Sequence, residues 1–243
     1  MMFLSQEALE EMDTPLVILA GGRATRLGPL SEDRPKFLAD VGFNQRFADV
    51  QLAWASEQGF WDVILSVGYR GKQIEEYCSD GSRYGVRLRY AYDGAKPLGT
   101  GGAVKRAFRR PPDRVAVLYG DTLLALDCSE VIRKAKRLGS YVLMTVLADP
   151  NEAHIRNAEL RGDKVTYSKS APKQTWRHID YGFLVLSCAF IEEIPETVPL
   201  DLSEPLERAS ATGRCDGYLA TEHFWEINTP EALAAFRRRF GQG

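Results

Sequence analysis

Short apolar runs alternate with amphipathic stretches over residues 15–148 of the chain. The runs are rich in β-branched side chains, which is typical of buried strands, and the stretches between them repeat apolar positions at helical spacing. This alternation predicts βαβ units, and therefore an α/β fold with a Rossmann-like, mostly parallel (mixed) sheet that carries helices on both faces. The predicted strands are Leu16–Leu19, Val63–Val67, Val86–Tyr92, Val115–Tyr119 and Tyr141–Leu147, and the predicted helices are Phe47–Gln58, Lys72–Cys78, Ala103–Arg109 and Ser129–Leu138.

The pattern changes after residue 148. Polar and apolar positions alternate on both sides of Gly162-Asp163, which predicts a β-hairpin formed by Arg156–Arg161 and Lys164–Lys169. We expect an extension at residues 1–14 and one domain at 15–243, in which the first half (15–148) and the second half (149–243), a substrate-binding lobe, share one sheet. The other predicted elements are a strand at Ile179–Leu186 and a helix at Thr229–Phe240 that opens with a threonine cap and a proline.

Composition and charge limit the classes of function. The fractions of hydrophobic (44%) and charged (26%) residues are those of a soluble globular protein, and the net charge of −2 argues against a nucleic-acid partner. Because no apolar run reaches the roughly 20 residues of a membrane span and residues 5–13 are too acidic for a signal peptide, we expect no membrane partner. The four cysteines stand singly, which favours reduced thiols in a cytoplasmic protein over disulfides or a zinc site.

A glycine turn followed by two cations is the main candidate for phosphate binding. The first predicted strand ends at Leu19, and Ala20-Gly21-Gly22 then allows a sharp bend and the close approach of a ligand. Arg26 and Lys36 follow, and backbone amides with fixed cations are what a polyphosphate needs. The chain has neither the Gly-Lys-Ser/Thr of a P-loop nor G-x-G-x-x-G. An ordinary strand turn with solvated charges is the alternative interpretation.

Two further stretches follow predicted strands. Pro97–Ala103 is rich in glycine and leads into a predicted helix, so its backbone can lie against a flat base or a ribose. Asp121 comes just after the strand that ends at Tyr119, and ligands gather at the carboxyl ends of parallel strands. A carboxylate at this position can hold Mg²⁺ against phosphate oxygens, or it can cap the following turn.

Taken together, these motifs resemble the sugar-1-phosphate nucleotidyltransferase family. Its signature stands here as L-A-G-G-R-A-T-R-L-G-P-L at residues 19–30 and P-K-F at 35–37, with Ala24 replacing a glycine and Phe37 a proline. P-L-G-T-G-G-A and G-D-T match the same family. D-Y-G, D-L-S and F-W-E-I-N-T-P further along resemble its heptose-1-phosphate guanylyltransferases, with Glu226 and Asn228 where many members carry aspartate and glycine. The resemblance implies a GT-A-like fold with a nucleotide-binding half (15–148) and a sugar-binding half (149–243) that contains a small β-rich sugar-binding lobe.

The resemblance also implies a reaction and its site. An oxygen of a sugar 1-phosphate (heptose or hexose) attacks the α-phosphorus of a nucleoside triphosphate, GTP being favoured, and pyrophosphate leaves. Mg²⁺ is the implied cofactor, and the product is a precursor for a surface polysaccharide or another glycan. Positioning and charge neutralisation, without a general base, are sufficient for such a transfer. The implied site residues are Arg26 at the β- and γ-phosphates, Lys36 at the α-phosphate, Asp121 and Glu226 at the metal, Leu19, Ala20, Gly21, Gly22, Gly99, Thr100 and Gly101 at the nucleotide, and Lys169, Asp180, Tyr181 and Gly182 at the sugar phosphate.

Several alternatives stay open on the sequence alone. The same fold could serve a non-catalytic nucleotide sensor, a uridylyl-, thymidylyl- or cytidylyltransferase, or a glycosyltransferase, although the Asp-x-Asp expected of the last is absent from the chain. Lys169 could be a solvated hairpin lysine, and Tyr181 could be a core residue. Trp54, Phe60 and Trp61 are expected to pack helix against sheet. The sequence allows either a monomer or a homodimer.

Overall fold

The structure, a computed structural model, describes residues 13–22, 34–94, 96–149, 155–195 and 199–240. Short 3-10 turns occur at Lys36–Leu38 and Ser82–Tyr84. The helices are α1 (Phe47–Glu57), α2 (Gly71–Cys78), α3 (Gly99–Arg106), α4 (Cys128–Leu138), α5 (Cys188–Glu192), α6 (Ser203–Ala211) and α7 (Pro230–Phe240). The strands are β1 (Leu16–Leu19), β2 (Asp40–Gly42), β3 (Gln45–Arg46), β4 (Asp62–Val67), β5 (Arg87–Tyr92), β6 (Arg114–Tyr119), β7 (Thr122–Leu123), β8 (Val142–Ala148), β9 (Ala158–Arg161), β10 (Lys164–Tyr167), β11 (His178–Ser187), β12 (Cys215–Ala220) and β13 (Trp225–Glu226).

Nine of these strands form one mixed sheet in the order β5-β4-β1-β6-β11-β8-β12-β10-β9. β5, β4, β1 and β6 run parallel, with Leu16 opposite Val63 on one side and Ala116 on the other. β11 is antiparallel to both β6 and β8, whereas β8 and β12 are again parallel. The predicted hairpin, β9–β10, extends the edge formed by β12, so the second half of the chain continues the sheet of the first. The predicted α/β class and mixed sheet are confirmed.

Helices cover both faces of the sheet. β1 shows why its run is continuously apolar: Leu16 and Ile18 pack into one core and Val17 into the other. The first core takes side chains from α1, α2, α4 and α7, and the second takes them from α3, α5 and α6. Phe47 of α1 meets Phe236 of α7 edge to face, with ring centroids 5.5 Å apart, which ties the last helix to the first. Of the helices in the described ranges, none is long and apolar enough to cross a membrane.

Two local predictions need correction, and several elements were not predicted. α3 begins at Gly99, not at Ala103, because the glycines of its first turn let the helix backbone approach the segment around Leu200 closely. Trp61 is 42% exposed and lies beneath the Arg87 guanidinium, 4.7 Å from its ring centre, whereas Trp54 and Phe60 are buried as predicted. Among the elements of the described ranges, the following have no predicted counterpart: α5, α6, β12 and the short strands β2, β3, β7 and β13.

Candidate active site

A cleft of about 310 Å³ opens where the parallel strands end. The carboxyl ends of β1, β4 and β6 point to the same edge of the sheet, with β1 in the middle. The strand order reverses at β1, and ligands bind at such crevices in open α/β sheets. The cleft is lined by Leu19, Ala20, Gly21, Gly22, Lys36, Phe37, Ser66, Asp93, Pro97, Gly99, Thr100, Ala103, Tyr119, Gly120 and Asp121.

Glycines allow the strand ends to meet at the floor of this cleft. An added Cβ on Gly21 would lie 3.3 Å from the Gly68 nitrogen, which is tight but tolerable. Gly120, which follows β6, is more restricted, because a Cβ there would lie 2.5 Å from the carbonyl oxygen of Leu19. Only glycine fits at that position. The residues predicted at the nucleoside, Leu19, Ala20, Gly21 and Gly22, all line the cleft.

Lys36 and Asp121 come from distant parts of the chain and contact each other in the cleft. Lys36 begins a 3-10 turn after Pro35, and its ammonium group lies 2.6 Å from Asp121 Oδ2. Lys36 is only 9% exposed, so water screens this ion pair less than it screens a surface pair. Asp121 Oδ1 accepts a hydrogen bond from the Thr122 hydroxyl at 3.1 Å. Phe37, which departs from the family pattern, is fully buried and serves the core.

Part of the phosphate-binding signature falls on residues 23–33, which lie outside the described residues. Arg26 is one of them, so its contact with the β- and γ-phosphates stays a prediction. Ala24, which replaces a family glycine, also lies there. In the described part of the chain, Lys36 is the signature cation that reaches the cleft.

Sequence reasoning missed Asp93, a half-buried acid in the same cleft. It follows β5, and its carboxylate lies over Gly68, where an added Cβ would come within 2.9 Å of Oδ2. Burial raises the pKa of the Asp93 carboxyl, while a hydrogen bond from the Leu98 backbone and the charge of Arg106 partly oppose that rise. Its position just after a strand is the signal that also pointed to Asp121, and it could have been used here.

The start of α3 is fastened to the second half of the chain. The Leu200 N–H donates a hydrogen bond to the Leu98 carbonyl, and the Leu200 carbonyl accepts one from the Gly101 N–H, both at 2.8 Å. The Thr100 hydroxyl accepts the Leu202 N–H at 2.8 Å. The structure thus gives Gly101 a packing role, since its amide is already bonded and it is not among the described residues that line the cleft. Gly99 and Thr100 do line it, as predicted.

Asp180 lies next to the cleft, beside Tyr119. The Tyr119 hydroxyl donates to Asp180 Oδ2 at 3.3 Å, and the Gly182 N–H donates to Oδ1 at 3.0 Å. Burial raises the pKa of the Asp180 carboxyl to about 6, against the lowering effect of these two hydrogen bonds and of Lys169. Asp180 is therefore a buried carboxyl that already accepts two hydrogen bonds, and Tyr119 connects it to the cleft wall.

Tyr181 does not face the cleft. It is 1% exposed, its hydroxyl donates to the Ala125 carbonyl at 3.2 Å, and its ring packs edge to face on Phe224. Neighbouring residues of a strand point to opposite faces, so a strand that turns Asp180 toward Tyr119 turns Tyr181 into the core. The core interpretation of Tyr181 is correct. Gly182 has φ +98° at a bulge in β11, and an added Cβ would come within 3.3 Å of the Tyr119 ring.

Lys169 ends the β9–β10 hairpin and forms an ion pair with Asp201. Its Nζ lies 2.6 Å from Asp201 Oδ2, and the two side chains are 58% and 46% exposed. The other oxygen, Asp201 Oδ1, lies 3.4 Å from the Thr100 hydroxyl of α3. The pair is therefore joined to the cleft through Thr100, and a contact between Lys169 and the sugar phosphate stays a prediction.

Glu226 reaches the neighbourhood of Asp121 through a short ribbon. β13 pairs with β7 so that Glu226 stands opposite Thr122, and the Ile227 N–H donates to the Asp121 carbonyl at 3.0 Å. Glu226 Oε2 accepts a hydrogen bond from the Asn228 side chain at 2.6 Å. Asp121 is among the described residues that line the cleft and Glu226 is not, so a metal shared by the two carboxylates stays a prediction.

The donors near Asp121 fit a magnesium ion that is held mainly by substrate. No cluster of three or more His, Cys, Asp or Glu side chains that could hold a metal occurs in the described ranges. Mg²⁺ usually takes one or two carboxylates and completes its shell with phosphate oxygens and water. Asp121, with Glu226 on the adjacent strand, supplies hard oxygen ligands of this kind.

Comparison with known proteins agrees with this geometry. The chain matches the family model described as nucleotidyl transferase over residues 16–157, which includes Lys36, Asp93 and Asp121. The chain belongs to the nucleotidyl transferase family. Its relatives join nucleotides to sugar 1-phosphates, and the chain is accordingly a sugar-1-phosphate nucleotidyltransferase.

Three relatives span nearly the whole chain. The D-glycero-alpha-D-manno-heptose 1-phosphate guanylyltransferase of Aneurinibacillus thermoaerophilus is 28% identical over 88% of this chain and 93% of its own. The glucose-1-phosphate cytidylyltransferase of Salmonella typhimurium is 27% identical over 86% and 89%. The crystal structure of HddC from Yersinia pseudotuberculosis complexed with GMP-PN is 26% identical, covers 93% of this chain and 99% of that one, and superposes with a TM-score of 0.74. The predicted GT-A-like nucleotidyltransferase fold is thereby confirmed.

Proposed function

We propose that this transferase joins GTP to a heptose or hexose 1-phosphate, with Mg²⁺, and releases pyrophosphate. The observation that carries the proposal is a single cleft lined by Lys36, Asp121 and Asp93. Asp93 follows β5, three strands from β6, and its carboxylate reaches over Gly68 to within 3.8 Å of where a Cβ on Gly21 would lie. A nucleotide lying across the strand ends would then have its α-phosphate near Lys36 and its base near Asp93.

Asp93 favours guanine over the other bases. The Watson–Crick edge of guanine presents two adjacent donors, N1–H and the N2 amino group, whereas uracil and thymine present one N–H between two carbonyls. An ionised carboxylate only accepts hydrogen bonds, so it matches guanine twice and repels the carbonyls of uracil and thymine. Adenine and cytosine offer one amino group beside an acceptor nitrogen, which is also a poorer match. The guanylyltransferase relatives support the same choice.

The phosphate end of the cleft suits nucleotidyl transfer without a general base. The attacking oxygen of a sugar 1-phosphate is already ionised at neutral pH. What the reaction needs is in-line positioning and stabilisation of charge on the α-phosphate. Lys36 can exchange Asp121 for a phosphate oxygen when the nucleotide arrives, and Asp121 and Glu226 would hold Mg²⁺, which neutralises charge on the phosphates. The pyrophosphate side is assigned to Arg26.

The sugar 1-phosphate would lie beside the cleft, where the second half of the chain contacts two of its lining residues, Thr100 and Tyr119. Lys169 is the cation proposed for its phosphate, and it is held next to the cleft by Asp201 and Thr100. Asp180 and Asp201 are acceptors that suit sugar hydroxyls. We further propose that the product supplies a surface polysaccharide or other glycan and that the protein acts in the cytoplasm, where thiols stay reduced.

The test measures pyrophosphate release from each of the common nucleoside triphosphates with mannose 1-phosphate or a heptose 1-phosphate. We expect GTP to give the highest kcat/KM in the wild type. Asp93→Asn should lower kcat/KM for GTP relative to UTP by about 5- to 150-fold, the range for one good bidentate contact to a base. Asp113→Asn is the control, because that acid is exposed and precedes β6, at the other edge of the sheet. Binding of GTP without turnover would favour the sensor alternative.

A further inference from the structure

A fully buried glutamine beneath the cleft holds the backbone on both sides of Asp121. Gln51 lies on α1 and has no exposed surface. Its Nε2 donates to the carbonyl oxygen of Tyr119 at 2.9 Å and to that of Thr122 at 2.7 Å. Both partners can only accept, so the side-chain amide must turn its nitrogen toward them.

The other atom of the same amide shows that Gln51 is not simply a core filler. Gln51 Oε1 is buried and has no hydrogen-bond partner within the described ranges. A buried acceptor without a partner destabilises a fold, and an apolar side chain of similar size would avoid that cost. The glutamine is explained if the turn beneath the cleft needs both of its N–H groups.

The two bonds from Gln51 complete a set that fixes the peptide groups around Asp121. Gly120 donates its N–H to the Leu19 carbonyl at 3.2 Å, and Ile227 donates its N–H to the Asp121 carbonyl at 3.0 Å. The turn is therefore attached to β1, to the segment after β13 and to α1. The direction in which the Asp121 side chain leaves the backbone is set by all three.

We infer that Gln51 is a positioning residue for Asp121: it holds the carboxylate where it meets Lys36 and a metal-bound phosphate. The inference rests on the proposed function, because it concerns the same reaction. Gln51 acts through the carbonyls of the turn, from the core side of α1. Groups that orient a metal ligand typically change metal affinity or activity by about 10- to 100-fold when they are removed.

Trp54 provides a matched control on the same helix. It lies three residues after Gln51, on the same face of α1, and its Nε1 donates to the Leu124 carbonyl at 2.8 Å. Trp54→Phe removes a buried bond of the same kind, from the same helix to the same loop. The carbonyl it releases lies beyond β7, away from Asp121. If both residues were merely structural, the two variants would affect the reaction alike.

The experiment compares Gln51→Met with Trp54→Phe in the full chain. In Gln51→Met we expect the Mg²⁺ concentration for half-maximal pyrophosphate release to rise about 10- to 100-fold. In Trp54→Phe it should stay at the wild-type value, and KM for the sugar 1-phosphate should be unchanged in both. Thermal unfolding checks that both variants fold. If Gln51→Met does not fold, Gln51→Glu replaces it. The glutamate keeps the shape of the side chain and, when protonated, one donor, so the Mg²⁺ concentration for half-maximal pyrophosphate release should rise by an intermediate amount.

Titration of Mn²⁺ in the presence of GTP, followed by electron paramagnetic resonance, separates the two proposals. If the wild type binds Mn²⁺ and GTP but releases no pyrophosphate, the proposed transferase activity fails, while the Mn²⁺ affinities still test Gln51. Equal Mn²⁺ affinities in Gln51→Met and Trp54→Phe would overturn the positioning role. A wild type that binds no Mn²⁺ with GTP would overturn both.

Discussion

The nucleotide side, which is the cleft itself, and the proposed sugar side next to it are built in different ways. On the nucleotide side, Lys36 is almost fully buried, and the turn that carries Asp121 is bonded to three elements. On the sugar side, the Lys169–Asp201 pair is about half exposed, and such pairs contribute only ~0–1 kcal/mol to the free energy of unfolding. The reacting centre is therefore preset by the fold, whereas the sugar contacts can change with little loss of stability.

The largest expected effect is at Lys36, on the nucleotide side that the fold holds in place. Lys36→Ala should lower kcat by about 10²–10³-fold, the usual loss when a group that meets transition-state charge is removed. Pyrophosphate release with saturating GTP and sugar 1-phosphate measures it, and circular dichroism checks the fold. Lys105→Ala is the control, because that lysine bonds the carbonyls of Ile191 and Glu192 at the far end of α3. Near-normal turnover of Lys36→Ala would remove Lys36 from the reaction.

The metal ligands should give the next largest effect. We expect Asp121→Asn to raise the Mg²⁺ concentration needed for activity by at least about tenfold, and Glu226→Gln to raise it less, because Asp121 lines the cleft and Glu226 lies on the adjacent ribbon. A metal titration of both variants measures this order. Carboxylates more than about 8 Å apart in an experimental structure would exclude one shared ion at ligand distances near 2.1 Å.

The sugar side should respond in KM and not in kcat. Lys169→Ala should raise KM for the sugar 1-phosphate about tenfold, since a hydrogen bond to a charged group contributes ~1.5 kcal/mol. Lys164→Ala is a matched control: it lies on the same hairpin, pairs with Asp216 at 2.6 Å and has a side chain that is 59% exposed. Equal values of KM in the two variants would show that Lys169 is a solvated lysine after all.

The last expected effect is on stability and not on the reaction: a pH dependence at Asp180. Burial raises the pKa of its carboxyl from 3.8 to about 6, so between these values the folded protein keeps a proton that the unfolded chain has released. The free energy of unfolding should therefore fall as pH rises through this window, and Asp180→Asn should flatten the profile. Thermal unfolding from pH 4 to pH 7 measures it. Asp163→Asn is the control and should leave the profile between pH 4 and pH 7 nearly unchanged, because a hydrogen bond from Lys134 lowers the pKa of that exposed carboxyl and its contribution changes only below about pH 4. An unchanged profile in Asp180→Asn would show that this carboxyl has an ordinary pKa.

The sequence was a good guide wherever a strand end and a chemical group coincide. The end of β6 predicted the position of Asp121, because parallel strands deliver their carboxyl ends to one edge. Its nearness to Lys36 was implied only by the family resemblance. The same rule applies to Asp93, which was overlooked because no motif marks it. The glycines of Pro97–Ala103 were read as a ligand-binding loop, yet Gly99 and Gly101 also let α3 approach Leu200.

Other features depend on contacts that no local pattern encodes. Gln51 is a polar residue on an amphipathic helix, and nothing in its neighbourhood along the chain says that it is fully buried beneath Asp121. Tyr181 was assigned to the sugar site with Asp180, although strand alternation sends the two to opposite faces. The bonds of Thr100 and Lys169 involve Leu202 and Asp201, in a part of the chain whose helix was not predicted.

The fastening of α3 to the segment around Leu200 has a consequence for the order in which the molecule is made. Thr100 and its partners at Asp201 and Leu202 are separated by 101 and 102 positions along the chain. At about 5–20 residues per second, the ribosome delivers the second partner roughly 5–20 s after the first. The nascent protein therefore has its glycine turn, Lys36 and Asp121 well before it has the segment that holds the start of α3 beside them, and the nucleotide site reaches its final shape only after Leu202 has been added.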